Sequence, residues 1–176
     1  MLKEGLSDQI ITDNNSILIE NNTFPLYQPK SNDRKVDIQQ IPLYEIEASA
    51  GLSMLFTNQT SQVPIGFITI PNAPKCDGAI PIRGDSMYPL LKSGDIACYK
   101  HLNNLENIQW GEIYIIYIDA DGDEMFVTKY VQRSELGDDY ISLVSYNKHH
   151  QPQNALKKHI KAIAMMKISI RYNTNV

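Results

Sequence analysis

The sequence predicts a mostly β domain with a few short helical turns, preceded by a polar arm. From residue 41 onward, short runs rich in Ile, Val, Tyr and Phe alternate with turn residues, which is typical of closely spaced strands. The first 40 residues are polar and carry too few periodic apolar positions to form packed helices. Apolar residues make up 43% of the 176 residues, so one domain with an appendage can bury a core.

Seven apolar runs in the second part of the chain are the predicted strands. They are 66–70, 79–83, 95–99, 112–118, 124–133, 140–146 and 160–172. The DADGD sequence at 119–123 lies between two of them, and its Asp-Gly pair predicts a hairpin turn. A calcium loop is the alternative, but it needs glycine at the sixth place and glutamate at the twelfth. Here glycine is fourth and Tyr130 is twelfth, so we predict the hairpin.

Charge and composition exclude several classes of protein. A net charge of -4 disfavours an extended basic surface for nucleic acid, although a local patch remains possible. Cys76 and Cys98 form no CxxC motif, and we predict reduced core residues in preference to a disulfide or a metal site. We predict no metal and no cofactor. The N-terminus lacks a signal-type apolar run, and no stretch approaches the ~18 residues of a membrane helix, so we predict a cytoplasmic protein.

The stretch GDSMYPLLKSGD, which begins at Gly84, carries the main candidate for chemistry. Gly84 permits a sharp turn, Asp85 or Ser86 can cap a short helical turn, and Pro89 suits its first turn. Ser86 would then lie at the positive end of a helix dipole. The backbone N–H groups of Asp85 and Ser86 would be free to bind an oxyanion. A serine that merely caps a tight turn explains the same pattern, so both interpretations remain open.

A nucleophilic serine needs a base, and a lysine is the better candidate. The four histidines occupy no recognisable triad context; they are His101, His149, His150 and His159. Side chains alternate along a strand, so Lys129 shares a face with Met125, Val127 and Val131. Burial there would lower the pKa of Lys129 and let it accept a proton. An edge lysine that extends to water is the alternative.

These motifs together resemble a known family. GDSMYP followed by LLKSGD, then WGEIYIIYI and FVTKY, closely resembles the LexA/phage-repressor/UmuD family of Ser–Lys self-cleaving peptidases, over roughly residues 41–172. The resemblance implies that Ser86 is the nucleophile and Lys129 the general base. It also implies a compact β fold like those of LexA and signal peptidase, and a homodimer.

The resemblance further implies that the chain carries its own substrate. Small residues beside the cut let the backbone lie close to the serine, and Ala50-Gly51 is the natural scissile bond within the window at 48–51. A flexible hinge is the alternative for such a segment. The chain then divides into a polar arm or linker at 1–40, a cleavage-site segment at 41–57, and a peptidase-like dimerisation domain at 58–176.

The function implied by the resemblance is that of the self-cleaving C-terminal domain of a phage-type transcriptional repressor. The family's co-protease is a RecA filament on single-stranded DNA. Contact with operator DNA would require a helix-turn-helix, which the residues before Gly51 do not resemble. The alternatives are a UmuD-like accessory of translesion synthesis, a processing enzyme like signal peptidase, and a catalytically silent dimerisation domain.

Overall fold

The structure, a computed structural model, describes residues 38–45 and 63–173. These residues form a mixed nine-stranded sheet, which confirms the predicted mostly β fold class. The strands are β1 (Ile38–Leu43), β2 (Gly66–Pro71), β3 (Gly78–Pro81), β4 (Ile96–His101), β5 (Ile113–Ala120), β6 (Asp123–Arg133), β7 (Tyr140–Val144), β8 (Gln153–Leu156) and β9 (Ile160–Ile170). Short 3₁₀ helices occupy Leu105–Asn107 and Lys157–His159.

The strand order in the sheet is β2-β1-β3-β4-β9-β5-β6-β7-β8. All neighbouring pairs are antiparallel except β1 and β3, which run parallel where Leu43 faces Ala79. The most C-terminal strand, β9, therefore lies inside the sheet, between β4 and β5. It joins the half built from β1–β4 to the half built from β5–β8.

Each of the seven predicted strands overlaps a strand of the structure, whereas β1 and β8 were not among them. In β1, IQQIPL breaks the apolar alternation with two glutamines and a proline. In β8, QNAL is half polar, because β8 is an outer strand of the described sheet and pairs only with β7 there. Strands of this kind carry little periodic signal in the sequence.

The turn between β5 and β6 is the predicted hairpin. Ala120 pairs with Asp123, and the two residues between them have positive φ, 57° at Asp121 and 101° at Gly122. Two such residues define a type I′ turn, whose twist matches the flanking strands. The Asp119 carboxylate accepts a hydrogen bond of 2.9 Å from the Gly122 N–H, so it serves the turn itself.

The two cysteines are free and buried, as predicted. Both belong to an apolar cluster with Ile41, Ala79 and Ile96 near one end of the sheet. Burial raises the pKa of Cys98 to about 11, so its thiol stays protonated at neutral pH.

The predicted cleavage site, Ala50-Gly51, and most of the predicted arm lie outside the described residues. β1 runs across the boundary predicted at residue 40, and the division of the chain into three segments stays a prediction. In the ranges that the structure describes, no helix is long and apolar enough to cross a membrane.

Candidate active site

The serine turn, residues 84–91, connects β3 to the loop before β4. Gly84 has a φ of +79°, which the sharp exit from β3 requires. The Tyr88 N–H donates to Asp85 O at 2.9 Å, and the peptide bond between Tyr88 and Pro89 is cis. Residues 86–90 form hydrogen-bonded turns, and the Leu91 N–H donates to Met87 O at 2.8 Å as in a single helical turn, but no helix is formed there. No helix dipole therefore acts at Ser86.

Two side chains of the serine turn anchor it to the core. Met87 and Leu91 are each 2% exposed and pack in one cluster with Tyr99 and Ile115. Ser86 itself is half-buried, and Asp85 before it is exposed. The turn is thus anchored by two buried side chains while Ser86 stays partly accessible.

The predicted oxyanion donors are the amide groups of Asp85 and Ser86. Within the described ranges, neither N–H donates to a backbone carbonyl. Two such donors can stabilise the charge that develops on a carbonyl oxygen under attack. Their role stays a prediction.

The second Gly-Asp pair of the motif, Gly94-Asp95, anchors the residues that follow the serine turn. Asp95 is buried, and its carboxylate accepts a 2.8 Å hydrogen bond from the Lys92 N–H. Arg171 reaches the same carboxylate at 2.5 Å and also donates to Leu90 O at 2.9 Å. The hydrogen bond from Arg171 holds the pKa of Asp95 below its ordinary value. Asp95 is therefore structural, a role that the sequence motif alone did not reveal.

Lys129 lies on β6 and is buried, with 9% of its surface exposed. Its partner across the ladder, Tyr114, is completely buried. The alternative of an edge lysine extending to water is therefore wrong. Burial lowers the pKa of Lys129, and the charge of Asp85 opposes that effect more weakly.

Lys129 Nζ donates a hydrogen bond of 2.7 Å to Ser145 Oγ. Ser145 lies one position beyond the pair Tyr130–Val144 in the ladder of β6 and β7, so the two side chains are cross-strand neighbours. Among the described residues, no hydrogen bond joins Lys129 to Ser86. Catalytic hydrogen bonds often form or tighten only when substrate is bound.

A short segment that follows β7 connects the two predicted catalytic residues. We call residues 145–150 the bridging segment. Its first residue, Ser145, accepts the hydrogen bond from Lys129, and the Asn147 N–H donates to Ser86 O at 2.9 Å. Two residues span at most about 7 Å, so the bridging segment brings Ser86 and Lys129 into one region.

The bridging segment also contains His150, one of the histidines for which the sequence showed no triad context. His150 Nε2 lies 2.9 Å from Asp85 Oδ1, and both side chains are exposed. Its partner is this carboxylate and not the Ser86 hydroxyl. Ser145 and Asn147 were missed from the sequence, and so was the contact of His150 with Asp85, because these contacts depend on how the loop after β7 folds back over the serine turn.

A family model described as Peptidase S24-like matches residues 42–167, well over half of the chain. The match includes the serine turn, Lys129 and the bridging segment. No curated protein matches the chain. The family match confirms the resemblance that the motifs predicted, and the chain belongs to the Peptidase S24-like family.

Proposed function

We propose that this protein is a serine peptidase that cuts its own chain between Ala50 and Gly51. Ser86 is the nucleophile and Lys129 the general base. The observation that carries the proposal is the buried Lys129, held by Ser145 on the same short segment that binds the Ser86 carbonyl. Membership of a peptidase family supports the same chemistry.

The reaction begins when neutral Lys129 Nζ accepts the proton of the Ser86 hydroxyl. Ser86 Oγ then forms a bond to the Ala50 carbonyl carbon, and the N–H groups of Asp85 and Ser86 bind the resulting oxyanion. The C–N bond to Gly51 breaks as the Lys129 ammonium returns the proton to the leaving amine. Water then hydrolyses the ester on Ser86 and frees the carboxylate of Ala50.

The protonation state of Lys129 makes this reaction faster at higher pH. A charged ammonium cannot accept a proton, and burial lowers the pKa of Lys129 so that more of it is neutral near physiological pH. The Asp85 carboxylate acts in the opposite direction and raises the pKa of Lys129, more weakly than burial lowers it. We expect slow cleavage at neutral pH and faster cleavage as the pH rises.

We further propose that the domain serves a phage-type transcriptional repressor as its self-cleaving, dimerising part. Cleavage separates this domain from a DNA-binding part, which then releases its operator. A RecA filament on single-stranded DNA accelerates the reaction by favouring the docked cleavage-site segment. The support for this role is the motif resemblance together with the family match.

The experiment is incubation of the full chain over a range of pH up to about 10, with fragments identified by mass spectrometry. We expect one cut and a new N-terminus at Gly51. Ser86→Ala and Lys129→Ala should abolish cleavage. Lys129→Arg should not restore it, because a guanidinium stays protonated. Lys100→Arg, an exposed lysine on β4, is the matched control and should cut at the wild-type rate.

Two results would contradict the proposal. One is a chain that stays intact at about pH 9 to 10 even with RecA filament added, or that is cut elsewhere. The other is a Lys129→Arg variant that cuts at the wild-type rate, which would exclude Lys129 as the base.

A further inference from the structure

Asn147 uses all four of its polar groups inside the bridging segment and the serine turn. Its backbone N–H donates to Ser86 O at 2.9 Å, and its side-chain Nδ2 donates to Asp85 O at 3.1 Å. Its side-chain Oδ1 accepts from the His149 N–H at 3.1 Å, and its backbone O accepts from the His150 N–H at 3.1 Å. An amide side chain is needed here, since it combines a donor and an acceptor.

The two donated bonds hold the peptide units on both sides of Ser86. Asp85 O belongs to the unit before Ser86, and Ser86 O belongs to the unit after it. Fixing both planes fixes the backbone dihedrals of Ser86, and with them the direction in which its side chain leaves the backbone.

The contact with Asp85 O also sets the direction of an amide. In a trans peptide unit the C=O and the N–H point to opposite sides. Because Asp85 O points at Asn147 Nδ2, the Ser86 N–H points away from the bridging segment. This N–H is one of the proposed oxyanion donors.

The two ends of the bridging segment are fixed independently. Ser145 contacts Lys129 at 2.7 Å, and His150 contacts the Asp85 carboxylate at 2.9 Å. Asn147 lies between them and is the only described residue of the segment with hydrogen bonds to the backbone carbonyls of both Asp85 and Ser86.

We propose that Asn147 is a positioning residue, which directs the Ser86 hydroxyl toward Lys129 and turns the Ser86 N–H away from the bridging segment. This inference rests on the proposed Ser–Lys peptidase function and adds a residue that the motif did not assign. Asn147 touches neither the substrate nor the proton in transit. It acts only through the geometry of the serine turn.

The test is the rate of self-cleavage against pH for the full chain carrying Asn147→Ala or Asn147→Asp. Asn147→Ala removes both side-chain contacts. Asn147→Asp has the same shape and keeps the acceptor for the His149 N–H, but it loses the donor to Asp85 O. We expect both variants to cut about 10- to 100-fold more slowly at the high-pH plateau, since a misplaced reacting group costs a factor of this size.

The midpoint of the pH profile separates positioning from an effect on the base. Asn147→Ala leaves the burial of Lys129 and its contact with Ser145 in place, so its midpoint should stay at the wild-type value. The plateau is the proper comparison for Asn147→Asp, because its added charge raises the pH at which Lys129 loses its proton.

The matched control is Asn104→Ala. Asn104 Oδ1 accepts a 2.9 Å hydrogen bond from the Glu106 N–H at the start of the 3₁₀ helix Leu105–Asn107. This variant should cut at the wild-type rate. The melting temperature of each variant is also measured, and each cleavage rate is taken well below it, so that unfolding does not explain a slower rate. Asn147→Asp keeps the test decisive if Asn147→Ala is unfolded.

The outcomes separate this inference from the function on which it rests. Wild-type plateau rates in folded Asn147→Asp or Asn147→Ala would overturn the positioning role alone, provided that Ser86→Ala is inactive. A shifted midpoint in Asn147→Ala would also overturn it, since Asn147 would then act on the base. A wild-type chain that does not cut, or a Ser86→Ala chain that does, would overturn both proposals.

Discussion

The folded protein disfavours the charged form of Lys129. Its ammonium is buried, and its hydrogen bond goes to one neutral hydroxyl, that of Ser145. Burial lowers the pKa of Lys129, so between its folded and unfolded pKa values the unfolded chain binds more protons. The contribution of Lys129 to stability therefore rises with pH through that window.

Replacing Lys129 by methionine should remove this pH dependence. The free energy of unfolding of the wild type, minus that of Lys129→Met, should increase as the pH rises from neutral toward the ordinary pKa of lysine. Urea unfolding at a series of pH values measures the difference. Lys100→Met changes an exposed lysine and should show a flat difference. A flat difference for Lys129→Met as well would show that Lys129 has an ordinary pKa.

The residues of the site differ in how far the sequence could predict them. Ser86 has a motif around it, and Lys129 stands out because strand alternation places a charge among apolar residues. Ser145 and Asn147 carry no such signal. Ser145 matters because of the register between β6 and β7, and Asn147 because a loop folds back on a turn some 60 residues earlier in the chain. Such long-range contacts follow from the fold and not from local pattern.

The hairpin of β5 and β6 is the element that presents Lys129. Its ladder runs from Ile113–Tyr130 to Ala120–Asp123, and Lys129 lies near the end remote from the turn. A two-residue turn fixes the register of such a hairpin, and a slip by one residue would move Lys129 to the other face. The Asp121-Gly122 turn therefore helps to keep Lys129 on the correct face of the sheet, although the turn lies at the opposite end of the hairpin.

Substitution of the turn glycine tests how much the hairpin depends on it. Gly122→Ala should reduce the free energy of unfolding by about 1 kcal/mol or more, because an alanine at a φ of +101° is strained. Gly66→Ala is the matched control: its Cβ would meet nothing within 4 Å, and its φ is not positive. We expect that variant to be close to wild type. Equal effects of the two substitutions in denaturant unfolding would contradict a turn-specific role.

At the scale of the whole molecule, the sheet order limits how a dimer can form. β9 has strands on both sides, so it cannot pair edge to edge with a second copy. Apolar side chains remain exposed elsewhere among the described residues, including Ile38 and Phe67, at 62% and 61%, on the β1–β2 pair. A dimer must therefore bury faces or loop residues, or use β2 or β8, the outer strands of the described sheet.

We predict that the protein is a homodimer in solution. Sedimentation at micromolar concentration should give about twice the chain mass of 20.0 kDa. A monomer at this concentration would contradict a dimerisation role and would leave peptidase activity as the function to explain. The variant Ser86→Ala is the suitable sample, because it cannot shorten itself during the measurement.

The whole fold was only partly predictable. Runs of β-branched and aromatic residues located most strands, and Asp-Gly located one turn, because these signals are local. The order of the strands depends on where β9 inserts, and nothing within its IKAIAMMKISI sequence specifies β4 and β5 as neighbours. Its apolar residues and their alternation with exposed ones at both ends indicate a strand, but not its position in the sheet.

The interior position of β9 has a consequence for the order of events while the protein is being made. The serine turn belongs to the half built from β1–β4, and Lys129 to the half built from β5–β8. A chain still on the ribosome can form each half as it emerges, but β9 is the last of the described strands to appear. Until synthesis has passed Ile170, the two halves lack the strand that pairs with both of them, although the bridging segment already contacts Ser86 and Lys129. The complete sheet, and with it the final placement of Ser86 relative to Lys129, is therefore expected only once the described part of the chain has been made.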